Sequence, residues 1–281
     1  MKRIFLLFCL IFSVSFTYGQ REQYDNISVF RYDVAKARYL NGKYGFIDRD
    51  YMVVVPTIYD DVADYFREKL AWVSLNGKYG FVNLKGEIVV PLKYDLAGDF
   101  HDGVALVKLN EKWGYINNIG QLITPIKYDF GTDFSGGLGV VMQNMKWGYI
   151  NNVGKIVIPM IYDDASSFEY IPKLGVDNKI AKVSLDDKKG AINKKGQIII
   201  PIKYKRIILT DFGTVWVKNI DDSWELMNQE GQLVSHYRYD DIGNTMEDGV
   251  TPVQISGKVF YIDTEGKCVQ NCHNAPDKHP K

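Results

Sequence analysis

The sequence repeats one short motif along most of its length, and this repetition limits the possible folds more than any other feature. Two clear copies read Gly42-Lys-Tyr-Gly-Phe-Ile-Asp and Glu111-Lys-Trp-Gly-Tyr-Ile-Asn. The fourth residue of each copy, called here the anchor, falls at positions 45, 80, 114, 148, 190, 225 and 260. Successive anchors are therefore 35, 34, 34, 42, 35 and 35 residues apart. A period of this length indicates an array of small units that bury their apolar faces on one another.

Further landmarks keep the same phase as the anchor. A proline stands eleven residues after the anchor in the first five units: Pro56, Pro91, Pro125, Pro159 and Pro201. A tyrosine stands fourteen residues after the anchor in the first six units: Tyr59, Tyr94, Tyr128, Tyr162, Tyr204 and Tyr239. An aspartate usually follows this tyrosine, as at Asp60, Asp95, Asp129, Asp163 and Asp240. The common phase predicts about seven copies of one structural unit.

Each unit has the pattern of an antiparallel β-meander. Large and small side chains alternate along the anchor strand, as in residues 113–116. An Asn-x-x-Gly turn follows, as in residues 117–120, and its glycine should be left-handed. Next we expect a β-branched strand that ends at the proline, such as residues 155–158 before Pro159. Asn76-Gly77 and its equivalents then predict a two-residue hairpin into the following anchor strand.

The combined motif resembles the WG-repeat family, which is named after a Trp-Gly pair present here as Trp113-Gly114 and Trp147-Gly148. The resemblance covers roughly residues 27 to 268. It implies a secreted or envelope-associated bacterial β-repeat protein that acts in binding or as a scaffold, and it supplies no catalytic residues. The sixth unit departs most from the family pattern, because Glu225 replaces the anchor glycine and His236 replaces the proline.

We therefore predict an all-β fold of about seven tandem β-meander units in an open superhelical, solenoid-like array. The alternative is a closed, seven-bladed, propeller-like ring, in which residues 29–41 and 257–268 supply the two halves of one unit. Families whose repeat number varies favour the open form. Helices should be minor, since no stretch after the N-terminal segment shows a sustained apolar period of 3.6 residues.

The first 19 residues have the three parts of a secretory signal peptide. A basic start, residues 1–3, precedes an apolar run at residues 4–16 and a small-x-small end at residues 17–19. The expected cleavage lies between Gly19 and Gln20. The apolar run is shorter than the ~20 residues that a membrane-spanning helix needs.

Removal of this segment leaves one predicted repeat domain, residues 20–268, and a polar tail, residues 269–281. The full chain has 34 basic and 34 acidic residues, so loss of Lys2 and Arg3 leaves 32 against 34, a net charge near −2. Without a basic excess to neutralise phosphates, no nucleic-acid partner is expected. We expect a secreted, periplasmic or cell-envelope protein without a membrane span.

The common catalytic motifs are missing from the sequence, which has no Gly-x-Ser-x-Gly, no phosphate-binding loop and no His-Glu-x-x-His. The aspartates after the landmark tyrosines recur in phase, which favours turn capping over catalysis. The aromatic residue before each anchor is expected to pack in the core; with an open face it would instead suit a carbohydrate or peptide groove. We predict a non-enzymatic, cofactor-free binding or scaffold module for protein or glycan partners. The alternatives are a hydrolase using Asp99, His101 and Asp102, and a structural spacer without a specific ligand.

Two cysteines stand out in the C-terminal part of the chain. Cys268 and Cys272 are expected to form a local disulfide in an exported protein. Capture of a metal by these cysteines with His273 and His279 is an alternative. Covalent haem attachment is another, although the motif has one residue more than Cys-x-x-Cys-His.

The fourth unit carries an insertion of about eight residues, 169–176. Insertions in repeat arrays often form the binding face, so Tyr170, Ile171, Pro172 and Lys173 are candidate partner-binding residues. A tolerated surface loop explains the insertion equally well.

Overall fold

A computed structural model describes residues 23–168, 170–171, 176–177, 180–246 and 248–276. The predicted signal peptide with its cleavage site at Gly19 and Gln20 lies outside the described residues. So do Pro172 and Lys173 of the insertion, and His279.

The chain divides into two compact units, the first extending to Asp133 and the second beginning at Phe134. The strands of the first unit are β1 (Tyr24–Ile27), β2 (Val34–Tyr39), β3 (Tyr44–Asp48), β4 (Val53–Tyr59), β5 (Asp61–Val62), β6 (Leu70–Leu75), β7 (Lys78–Asn83), β8 (Ile88–Tyr94), β9 (Leu96–His101), β10 (Val104–Leu109), β11 (Lys112–Asn117) and β12 (Phe130–Gly131). They form the sheets β1 to β4, β5 to β8 and β9 to β11, and in each sheet neighbouring strands are successive in the chain.

The second unit has the same organisation, except that β16 pairs with β19 across the insertion. Its strands are β13 (Leu138–Gln143), β14 (Lys146–Asn151), β15 (Ile156–Tyr162), β16 (Asp164–Ala165), β17 (Tyr170–Ile171), β18 (Val176–Asp177), β19 (Ile180–Leu185), β20 (Lys188–Asn193), β21 (Ile198–Tyr204), β22 (Arg206–Leu209), β23 (Thr214–Lys218), β24 (Trp224–Asn228), β25 (Asp241–Ile242), β26 (Thr251–Ile255), β27 (Lys258–Ile262) and β28 (Cys268–Gln270). One 3₁₀ turn, η1 (Cys272–Asn274), follows the last strand. The insertion in the fourth unit forms the separate β17–β18 ladder.

The predicted all-β architecture of tandem antiparallel meanders is confirmed. Ring closure by a shared unit is not what the ends of the chain form: residues 34–39 pair within the first sheet, and residues 258–262 pair within the last. Each end thus completes a sheet from its own neighbouring strands. Among the described residues, no helix has the length and apolar character needed to cross a membrane.

The turns have the predicted geometry. In the Asn83–Gly86 turn, Gly86 has φ +77°, and the side-chain oxygen of Asn83 accepts backbone N–H groups from Lys85 and Glu87. In the hairpin that precedes β7, Asn76 and Gly77 have φ +52° and +72°, the left-handed pair of a type I′ turn.

The prediction that the strand after the Asn-x-x-Gly turn ends at the proline is wrong. In β15 the strand continues through Pro159 to Tyr162. Because β15 is the edge strand of its sheet, the missing N–H removes no ladder hydrogen bond. A bulge absorbs the proline: Tyr149 pairs with Ile158, while Trp147, two residues earlier, pairs with Tyr162, four residues later.

The bulge explains why most anchors are glycine. A Cβ atom on Gly80 would lie 2.4 Å from the carbonyl oxygen of Val90 and 2.9 Å from the carbonyl carbon of Pro91, which is closer than atoms can approach. The anchor strand and the proline strand therefore meet backbone to backbone.

The sheets containing β11 and β24 have only isolated bridges in place of the fourth strand. Both have a buried hydroxyl ten residues after the anchor, where the other units have Val or Ile. Thr124 accepts the backbone N–H of Tyr115 at 3.0 Å, and Ser235 hydrogen-bonds the Tyr239 hydroxyl at 2.6 Å. The Thr124 hydroxyl takes the N–H of Tyr115, which would otherwise bond in the strand ladder, whereas Ser235 bonds a side chain. At the anchor itself, Glu225 pairs with Arg238 at 3.0 Å.

In each of the two compact units, the core lies between successive sheets. All six landmark tyrosines are buried, with at most 4% of their surface exposed. Aromatic residues on the anchor strands meet a phenylalanine of the following sheet, as in Phe46–Phe66 and Phe81–Phe100, whose ring centroids are 4.7 and 4.8 Å apart. The landmark tyrosines and these aromatic pairs therefore join one sheet to the next.

Candidate functional site

The recurring aspartates hold the sheets together. Asp60 accepts a hydrogen bond from Lys43, seventeen residues earlier, and its other oxygen accepts the backbone N–H of Asn76 at 2.6 Å. Asn76 lies in the hairpin of the next sheet. The same lysine pairing recurs at Asp95, Asp129 and Asp163. These carboxylates have structural partners, as their fixed phase predicts, but they bond a lysine and a hairpin N–H of the next sheet and do not cap a local turn.

The lysine hydrogen bonds also lower the pKa of Asp60, Asp95 and Asp163, since they favour the charged carboxylate. A backbone N–H at each carboxylate adds to this effect. At the fifth junction Lys205 replaces the aspartate, and the hairpin supplies Asp222, whose carboxylate lies 2.9 Å from the Lys205 ammonium group. The charges are exchanged while the link is retained.

Of the five aromatic residues before the anchors, Trp224 is buried and the other four are half-buried. Tyr79 packs on Trp72 with ring centroids 5.5 Å apart, and Trp113 packs on Phe130 at 6.4 Å. The ammonium group of Lys108 lies 5.7 Å from the Trp113 ring centroid. These rings are engaged in packing and do not form an open ladder.

Exposed aliphatic side chains recur at one phase of the repeat, eight residues after the anchor. We call this set the aliphatic row; it consists of Val53, Ile88, Leu122, Ile156, Ile198 and Leu233. Between 42 and 58% of each residue's surface is exposed. Burial in the core does not account for an apolar residue that is half-exposed at the same phase of six repeats, so each member of the row is a candidate contact residue.

Lysines accompany the aliphatic row. Lys93, Lys127 and Lys203 are exposed, stand five residues after a member of the row, and follow the proline by two residues. Each has its ammonium group 5.1 to 5.3 Å from the ring centroid of the adjacent landmark tyrosine. Three members of the row thus share their segment of the chain with an exposed lysine. The sequence analysis missed it because recurrence in phase was interpreted as a sign of folding alone.

The residues of the hydrolase alternative have structural partners. Asp99 forms an ion pair with Arg67 at 3.0 Å. Asp102 and Gly103 have φ +54° and +82°, so they form the two-residue turn between β9 and β10. His101 is the last residue of β9. The departure of His101 and Asp102 from the repeat pattern is therefore accounted for by a hairpin.

In the C-terminal segment, Cys268 and Cys272 are joined as a disulfide, with Cα atoms 5.7 Å apart. His273 lies in the η1 turn between them and the end of the described chain. Within the described residues, no three His, Cys, Asp or Glu side chains converge in a way that could hold a metal ion. Of the insertion, the backbone of Tyr170 and Ile171 is described, as the strand that pairs with β18.

The sequence pattern of the family described as "WG containing repeat" matches six consecutive segments: residues 44–79, 79–113, 113–147, 147–170, 190–221 and 226–258. A search of curated proteins finds no match to the chain.

Several solved structures are similar to the chain. One, described as a eukaryotic initiation factor, is 8% identical, with 88% of this chain and 76% of that chain covered and a TM-score of 0.44. Hsv2p of Kluyveromyces lactis is 13% identical, with 78% of each chain covered and a TM-score of 0.37. The C-terminal WD40 domain of Sif2 is 8% identical, with 83% and 79% covered and a TM-score of 0.35.

Proposed function

The chain belongs to the WG-containing repeat family, and on that premise we propose that it is an exported, non-catalytic binding module that holds a protein partner against the aliphatic row. The observation that carries the proposal is the exposure of all six members of the row. A partner that covers half-exposed aliphatic side chains lowers the free energy of the complex, because it removes apolar surface from water.

A protein partner is favoured over a glycan by the chemistry of the exposed groups. Sugars stack on open aromatic faces, whereas the aromatic residues before the anchors pack against neighbouring side chains. Aliphatic side chains flanked by lysines suit a protein surface with an apolar centre and acidic edges. The hydrolase alternative has less support, because Asp99 is paired with Arg67 and Asp102 belongs to a turn.

The proposed location is outside the cytoplasm, in the periplasm or cell envelope or in the medium. It rests on the three-part pattern of residues 1–19 and on the pair Cys268 and Cys272, which suits an oxidising compartment.

The test is capture of envelope proteins by the purified protein, alongside a glycan array. The double variant Ile88→Asn and Ile198→Asn removes one apolar member of the row from each compact unit. The matched control, Lys85→Asn and Lys195→Asn, changes exposed residues three positions earlier, on the turns that precede β8 and β21. We expect the first variant to lose the partner at least ~10-fold and the control to retain it.

Equal capture by both variants would contradict the proposal for the row. A third variant that lacks residues 170–176 tests the insertion separately: loss of capture in that variant alone would move the binding face to the loop. Binding on the glycan array that survives the row substitutions would favour the glycan alternative.

A further inference from the structure

A groove of about 750 Å³ lies in the second unit, between the segment 234–237 and the last sheet. This volume falls within the range of sites for small molecules. Its apolar lining includes Val234, Tyr237, Phe260, Ala275 and the disulfide of Cys268.

The groove exists because the repeat is broken at this junction. His236 stands in the proline position and the fourth strand is absent, so the segment leaves the sheet after Val234. In the last sheet, Phe260 replaces the anchor glycine, and its buried side chain lines the groove.

The turn of the last sheet lies farther from the preceding sheet than the turns at Gly86 and Gly231 do, and about as far as the turns at Gly120 and Gly196. A Cβ atom on Gly231 would come within 2.3 Å of the carbonyl oxygen of Ile199. On Gly266, at the same phase, it would lie 3.2 Å from the carbonyl oxygen of Val234.

The C-terminal segment forms one side of the groove and is fixed in place. The Tyr237 hydroxyl donates to the carbonyl oxygen of Pro276 at 3.1 Å. The side-chain amide of Asn274 donates to the carbonyl oxygen of Val259 at 2.8 Å. The disulfide between Cys268 and Cys272 closes the turn that leads from the last strand into this segment. The wall is therefore built before any ligand binds, which lowers the entropy cost of binding.

The polar groups of the groove define what it can hold. Ser235 and Tyr237, which line it, use their hydroxyls in hydrogen bonds within the protein, so the interior needs no polar partner. At the rim stand His236, which is exposed, and Lys267, whose ammonium group pairs with Glu265 and has further N–H donors. An apolar body fits the interior and an oxygen acceptor fits the rim.

We propose that this groove binds a small aromatic carboxylic acid, with the ring between Tyr237 and the disulfide and the carboxylate at Lys267 and His236. The site lies in the second unit, and its lining includes no member of the aliphatic row.

The probe is 3-phenylpropionate, titrated into the oxidised full-length protein and followed by amide chemical shifts. We expect saturable binding with a dissociation constant on the order of 1 mM, typical of a ligand with about ten heavy atoms. Shifts should concentrate at Val234 to Tyr237 and at Gly266 and Lys267. Phenethylamine has the same ring with the opposite charge and should bind at least ~5-fold more weakly.

Two tryptophan substitutions separate occupancy from general effects. Ala275→Trp fills the groove and should weaken binding at least ~10-fold, whereas Lys258→Trp adds the same ring at an exposed position on β27 and should leave binding unchanged. Amide shift dispersion checks that both variants are folded. Absence of saturation, equal binding by both variants, or equal affinity for the amine would overturn the proposal.

Discussion

The ammonium group of Lys78 lies 2.6 Å from a carboxylate oxygen of Asp95, and the second oxygen of Asp95 accepts the backbone N–H of Asn110 at 2.7 Å. One side chain therefore ties the anchor strand β7 to the hairpin of the following sheet. Because the contact recurs along the chain, it contributes to stability at several junctions in the same way.

Acid should destabilise the protein through these links. The folded-state pKa values of Asp60, Asp95 and Asp163 are lowered from the usual 3.8, chiefly by the lysine hydrogen bonds. Their contribution is complete above the unfolded-state pKa and is lost as the pH falls through the lower folded-state values. We expect a constant melting temperature from pH 7 to about pH 5 and a fall below about pH 4.

The control for this prediction is Asp95→Asn, measured by thermal melting over the same pH range. It should lower the melting temperature at pH 7 and make the acid limb shallower. An acid limb as steep as that of the unmodified protein would assign the effect to other carboxylates.

Removal of two buried tyrosine hydroxyls should have different effects. The Tyr94 hydroxyl is buried and has no hydrogen-bond partner within the described part of the chain, whereas the Tyr239 hydroxyl bonds Ser235 at 2.6 Å. Tyr94→Phe should therefore change the free energy of unfolding by less than about 0.5 kcal/mol or increase it, and Tyr239→Phe should lower it by about 1 kcal/mol. Urea denaturation measures both, and a larger loss for Tyr94→Phe would be inconsistent with the structure.

A single glycine should stabilise the hairpin before β14. Met145 has φ +60° and 80% of its surface is exposed, so it occupies a left-handed position without a compensating burial. Met145→Gly should raise the free energy of unfolding by about 0.5 to 1 kcal/mol. The reverse change, Gly77→Met, is the matched control, because a Cβ atom there meets nothing within 4 Å and only the backbone conformation is tested. It should lower stability by a similar amount; no loss at Gly77 would remove the explanation.

Export should leave Gln20 at the N-terminus. Intact-mass spectrometry of protein secreted from cells that express the whole chain should show loss of residues 1–19. Gly19→Leu places a bulky residue at the cleavage site and should leave the precursor uncut. A full-length chain in the cytoplasm would contradict the proposed location.

The repeat unit, its turns and its hairpins were predictable because local residues determine them. Asn76-Gly77, for example, forms its hairpin turn because both residues readily adopt left-handed backbone angles. The continuation of β15 past Pro159 was not predictable, since the penalty of a proline depends on whether its strand lies at an edge. The absence of a fourth strand beside β11 and β24 was also not predictable, since these sheets differ from the others by one buried hydroxyl each, Thr124 and Ser235. The aliphatic row could not be identified from the sequence. Ile88 and Val90 are both β-branched aliphatic residues, and only the structure shows that Ile88 is exposed and Val90 is buried.

The proline in the edge strands β4, β8, β15 and β21 has a consequence for solubility. Free strand edges beside exposed aliphatic side chains are the usual starting point for intermolecular β-pairing and aggregation. Pro56, Pro91, Pro159 and Pro201 lie inside β4, β8, β15 and β21, where each removes one donor and sits beside a bulge. Along these four edges the chain therefore offers no continuous ladder to another copy of itself, although aliphatic side chains are exposed beside them.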